Sequence, residues 1–319
     1  MDHPSIPAAA TPHGVGQPIP RRFAFDFPDD LNPCFKPDDP EFSAMVNGAS
    51  LVMPYLEPFL IRTVREALPQ VDDEATADSA RAFNTQEQHH FQAHRRYNEL
   101  LKRSRYPQLA AIEADMQLGY AALGKRSLRT RLAYTAGFEA MTLGVTRWLV
   151  NERRSLFGGA DTRVASFVLW HFVEESEHKC VAHDVWQALH GPDRGRVWLA
   201  RAFGVLHGSL DVMWYSMRGY RAILKADGRW WSLRARLRLF GRLMSFVRHV
   251  APSLLDALRP GHDPRRVQDP QWVSDWLAGH AVAPAAAMPL LDTAHPDIPV
   301  PFPMPAAATG SVPLAGSAA

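Results

Sequence analysis

The sequence is short of several things at once. Its 319 residues include only two cysteines, Cys34 and Cys180, with no CxxC. That excludes a disulfide scaffold and makes a reducing compartment the default, so the expected location is cytoplasmic. No stretch combines alternating polarity with β-branched enrichment and turn residues, so no sheet is expected. No segment recurs at a constant period. The net charge is only +2, and no basic stripe carries interleaved aromatics, which removes nucleic acid from the expected partners. The N-terminal MDHPSIPAAATPHGVG lacks a charged region followed by an apolar run and does not read as a secretory signal. The most apolar stretch, residues 198–217, still carries Arg201, His207 and Asp211, so no membrane span is expected.

What is present is helical periodicity, interrupted by proline and glycine. Residues 1–40 are rich in Pro, Ala and Gly and then in aromatics alternating with acids. They read as a disordered or extended N-terminal arm, with the stretch from 23 to 42 lying over the body. A helical pattern runs from Ser43 to Leu68, where Pro54 and Pro58 predict a kink or a fresh start. Further helices are predicted over about 72–102, 107–123, 127–156, 162–190, 194–225 and 230–257, with a short one at 271–279. Residues 261–319 form that short helix and a Pro/Ala-rich tail. The fold class is all-α: a helical bundle over 41–260 with additional C-terminal helices.

The stretch that calls for chemistry is WHFVEESEHKCVAHDVW, residues 170–186. His171, Glu175 and His178 are spaced four and three apart, so one helix face carries all three. The rest of that stripe is Val164, Phe167, Val168, Ala182, Val185, Trp186 and Leu189. Burying three ionisable groups without compensation would cost roughly several kcal/mol each. A metal ion is the economical compensation. The helix at 72–102 repeats the pattern: Glu87 and His90 form a second ExxH on a face with Ala80, Phe83, Asn84, Phe91, His94, Asn98 and Leu101. Two lone glutamates, Glu57 and Glu139, lie among apolar neighbours on the helices that precede each ExxH. Two divalent ions within about 4 Å of each other need anionic bridges, which carboxylates supply, with imidazoles completing each side. Gln86 and Glu174 each precede a ligand glutamate and are placed to reach the opposite helix's histidine, and His94 lies one turn beyond His90. Glu177 and His183 fall off the stripe and read as peripheral. Cys180 reads as a small buried hydrophobe.

The order Glu, ExxH, Glu, ExxH resembles that of the ferritin-like di-metal carboxylate superfamily. His171 adds a third imidazole, giving HxxxExxH, which is similar to the di-iron arylamine N-oxygenase family. The phrases QEQHHFQAH and EESEHKCVAHDVW also resemble a bacterial family labelled predicted metal-dependent hydrolase. These resemblances span roughly residues 40–225. They imply a ferritin-like bundle with two iron ions held by Glu57, Glu87, His90, Glu139, His171, Glu175 and His178, and Gln86, His94 and Glu174 around them. The leading expectation is a di-iron oxygenase or oxidase using O2 and an electron donor on a small organic substrate, N-oxygenation included. The alternatives are a hydrolase with two Mn or Zn ions at the same ligands, and a non-catalytic metal-binding protein. The apolar helix at 194–225 is the candidate homodimer interface.

Overall fold

The computed structural model of the chain describes residues 17–280 and Thr293. The part of the expected arm before residue 17 and, apart from Thr293, the expected tail after residue 280 lie outside the described residues. Among the described residues the regular elements are helices, with no strand. In chain order they are α1 (Pro40–Ser50), α2 (Met53–Ala67), α3 (Glu74–Ser104), α4 (Leu109–Gly124), α5 (Leu128–Asn151), α6 (Arg153–Phe157), α7 (Thr162–Glu177), α8 (Val181–His190), α9 (Gly195–Ala226), α10 (Leu233–Ala257) and α11 (Gln271–Gly279). Five of them begin on an Asp or Ser whose side chain accepts a first-turn N–H: Asp39, Asp73, Ser127, Asp161 and Ser232. Each such cap stabilises its helix by about 1 kcal/mol.

Two predicted helices are divided. The 43–68 pattern breaks at Leu51–Val52, and α2 starts afresh with Pro54 in its first turn, where the missing N–H is no loss. Pro58 stays inside α2. This stretch, Pro40–Gln70, has the length and composition of a membrane span, yet 72% of its apolar window is buried in the bundle. The pattern over 162–190 breaks after His178. Lys179, at the break, is held by partners outside both helices. It is buried, and its Nζ reaches out of the helix line to both oxygens of Asp269 (2.8 Å each) and to the Val267 carbonyl (2.9 Å). A buried ammonium is stable only with such partners.

The core is built around α5, which is buried on all sides from Arg131 to Gly144. A helix apolar all round belongs in the interior. The helices α2, α7, α8, α9 and α10 surround it, and α3 pairs with α2 on the far side. The approach of α9 to α5 is close because glycines face each other. A Cβ on Gly204 would lie 1.9 Å from the Ala133 carbonyl oxygen, and one on Gly137 would lie 2.2 Å from the Gly204 carbonyl carbon. Gly204→Ala should therefore push α9 off α5 and destabilise the fold by at least about 1–3 kcal/mol. Thermal unfolding would read this as a clear drop in Tm.

The segment before α1 is ordered by alternating phenylalanines. Phe23 meets Trp170 and Trp276 edge-on, Phe25 meets Phe167 and Trp170, and Phe27 meets Tyr97 and Phe167. It lies across α3 and α7, the two helices that carry the ExxH pairs.

Candidate metal centre

Four elements aim ionisable side chains at one interior point. Glu57 comes from α2, Glu87, His90 and His94 from α3, Glu139 from α5, and His171 and Glu175 from α7, with His178 at its C-terminal cap. All are buried, none more than 5% exposed. They form two groups. In the first, ligand atoms of Glu87, His90, Glu175 and His178 lie within 4.8 Å of one another. In the second, Glu57, His94 and His171 do the same. Glu139 belongs to neither group but adjoins the first, its Oε2 3.1 Å from His178 Nδ1. The seven residues singled out in the sequence are thus brought together, with His94 beside them.

The cluster is electrostatically incomplete as it stands. Eight buried atoms have no hydrogen-bond partner: both oxygens of Glu57 and of Glu87, Glu139 Oε1, Glu175 Oε2, His90 Nδ1 and His178 Nε2. Among the described residues, only histidines come within ion-pair distance of the four carboxylates. Burial, and then repulsion from neighbouring glutamates, holds Glu57 and Glu87 well above the usual carboxylate range. The same causes push Glu139 up to about 7. Divalent cations fit this set: they supply the missing charge and use the unpartnered atoms as ligands.

Hydrogen bonds around the cluster fix which ring nitrogens face it. Asn98 donates Nδ2–H to the Ser50 carbonyl (2.9 Å), so its Oδ1 accepts from the Ser50 hydroxyl (2.7 Å). The hydroxyl oxygen then accepts from His94 Nδ1 (2.8 Å). Burial, and then the neighbouring His171, keeps His94 neutral, so its Nε2 is an acceptor. His171 Nδ1 must donate to it (2.6 Å). His171 Nε2 is thereby the ring nitrogen that faces the carboxylates, 2.9 Å from Glu175 Oε1 and 3.7 Å from Glu57 Oε1. On the other side, Glu174 Oε2 accepts from His90 Nε2 (3.0 Å), which turns the Nδ1 lone pair toward Glu87 and Glu175. Fixing the ring through its second nitrogen is how proteins orient a metal-ligating histidine.

Glu174 therefore stands where the spacing put it, across from the other helix's histidine. Gln86 does not. Its Nε2 donates to Glu177 Oε2 (2.6 Å) and to the Ile19 carbonyl (3.2 Å), because α3 turns that side chain toward the N-terminal segment rather than toward His178. Glu177 is not peripheral: it is buried and pairs with Arg21 at 2.8 Å and 3.0 Å. His183 is also buried, bonded to Gln187. Arg21 is the residue the sequence reading missed, since it falls in the expected disordered arm. It is 3% exposed and also meets Glu174 Oε1 at 3.2 Å. The signal was the basic pair Arg21-Arg22 placed directly before the alternating phenylalanines.

Metal uptake should release protons. The raised Glu57, Glu87 and Glu139 carboxyls hold protons near neutrality in the metal-free chain, and a cation must displace them. Affinity should thus fall as pH is lowered from about 8 to about 6. Calorimetric titration in buffers of different ionisation enthalpy measures the protons released.

Residues 19–268 match the family described as "Predicted metal-dependent hydrolase", and the chain belongs to that family. No curated protein and no solved structure matches it.

Proposed function

We propose that the chain is a dinuclear metal enzyme and that its reaction is hydrolysis. Glu57, Glu87, His90, Glu139, His171, Glu175 and His178 would hold two divalent ions, in a ferritin-like arrangement of α2, α3, α5 and α7. The eight unpartnered atoms in a cluster without lysine or arginine carry this reading. Ions bound there supply Lewis acidity and the activation of water at neutral pH. The remaining work falls to the chain. Glu174 and the His94–Ser50–Asn98 relay hold the His90 and His171 rings in their ligating orientations. Trp170 against His90, Phe83 against His178 and Phe172 stacked on His171 keep bulk water out. The family's description favours hydrolysis over the O2-dependent oxidation expected from the third imidazole.

One observation supports oxidation as the second reading. The relay turns His171 Nε2 toward Glu57 and Glu175, so a histidine-rich site is available to iron as well as to zinc or manganese. Metal analysis and turnover separate the two. The expected result is about two redox-inert ions per chain, with ester or amide hydrolysis and no O2 uptake. Iron with O2 consumption coupled to substrate oxidation favours the second reading. A protein that neither contains metal nor gains it on reconstitution overturns both.

A further inference from the structure

The metal cluster has one neighbour of a different character. A cavity of about 140 Å³ adjoins it, with His94, His171, Ser50 and Thr142 at the metal end. Away from that end the walls are almost wholly apolar. Five of the chain's ten methionines line it: Met45, Met53, Met141, Met213 and Met217. Unbranched, polarizable thioethers adapt to a flexible guest better than branched side chains do.

Beside Met45, Val46 and Ala49 of α1, half-buried walls of the cavity come from α9 and α10. These two helices each lie along α5 but barely touch each other. Met213 and Met217 on one side and Leu243 and Phe246 on the other are half-buried walls of the gap. Beyond them the apolar character continues onto the surface instead of stopping. Leu210 and Trp214 of α9 and Phe240, Met244 and Val247 of α10 are exposed by 48–68%. Single exposed hydrophobics need no explanation, but a contiguous set flanking a cleft marks a binding surface. A small polar substrate would have nothing to offer this collar and lining in exchange for the solvent it gives up.

We propose that the substrate carries a long hydrocarbon chain, which enters between α9 and α10 and lies in the methionine-lined cavity with its reactive end at His171 and Thr142. The proposal rests on the metal-enzyme reading for what happens at that end, but the chain-binding cleft stands on its own. Each methylene buried strengthens binding by about fourfold until the cleft is full. Affinity is thus set by chain length, and the head group chooses the reaction.

The test uses the full chain, with and without metal, and the intrinsically fluorescent C18 polyene acid, cis-parinaric acid, as probe. Saturable binding of about one probe per chain is expected, displaced by saturated acids in an order that rises with chain length. Met217→Trp, which narrows the gap, should weaken binding at least tenfold. Leu233→Ser, on the exposed start of α10, serves as a control that should not. Metal content measured on the same samples keeps the two readings apart. Probe binding without metal uptake retains the cleft and sinks the enzyme reading. Metal uptake with no saturable binding, or with binding that is independent of chain length or unchanged in Met217→Trp, overturns the hydrocarbon substrate.

Discussion

Replacing Glu87 with methionine should abolish metal binding and, at the same time, make the metal-free protein more stable. Both Glu87 oxygens are buried without partners, next to Glu175, Glu57 and Glu139. In the metal-free chain burial and its neighbours hold this carboxyl protonated, and its oxygens are left without a hydrogen bond. Methionine has similar length, no charge and good tolerance of irregular space. Removing a buried polar group that lacks a hydrogen bond recovers about 1–3 kcal/mol when an apolar side chain of similar volume takes its place. For a chain of this size each kcal/mol moves Tm by roughly 2–4 °C. The metal side of the prediction is larger. Loss of a residue that merely orients a ligand weakens affinity by about 10–100-fold, and a carboxylate inside the first group should exceed that. Denaturant unfolding of chelated protein gives the stability, and elemental analysis after dialysis against metal gives the occupancy. A purely structural Glu87 gives the opposite pair: a destabilised variant and unchanged metal content.

That double outcome follows from features already legible in the sequence. An apolar stripe interrupted by Glu and His at three- and four-residue spacing locates the ligand-type residues on each helix without any knowledge of how the helices pack. This is why Glu87, His90, Glu139, His171, Glu175 and His178 were found, and why even Glu57 was found between two prolines. Periodicity reports which face a residue is on. It does not report which neighbour that face meets. The Ser50–Asn98–His94–His171 relay crosses from α1 to α3 to α7, and only the packed structure shows that it orients the His171 ring. The partner of buried Lys179 at the break after His178 is Asp269, ninety residues beyond that lysine. The cavity was equally illegible, because it is a gap between helices rather than a property of one. Its lining methionines are scattered over four of them.

Arg21→Ala should produce the second large effect, from a residue outside every helix. The Arg21 guanidinium bridges Glu174 and Glu177 through Nη1 and Nη2, and its Nε donates to the His280 carbonyl (3.3 Å). Among the described residues it is the only Lys or Arg paired with either carboxylate. Truncating one partner of a buried ion pair costs about 3–5 kcal/mol, because the remaining charge is left uncompensated. The consequence runs on to the metal. Burial already pushes Glu174 up to about 8 against the pull of Arg21, and without Arg21 it rises further, so the two chains differ in Glu174 protonation from about pH 8 upward, where the metal comparison is made. A protonated Glu174 is a weaker acceptor for His90 Nε2, so the imidazole is held less firmly and donates less electron density through Nδ1. Metal affinity should fall by about 10–100-fold. Arg21→Lys restores the charge without the two-pronged geometry and should recover stability in part. The metal titration tells the roles apart. A side chain that only pins the N-terminal segment lowers the unfolding free energy and leaves the metal dissociation constant where it was. One that acts through Glu174 on His90 moves both, and moves the metal constant even when compared at equal folded fraction.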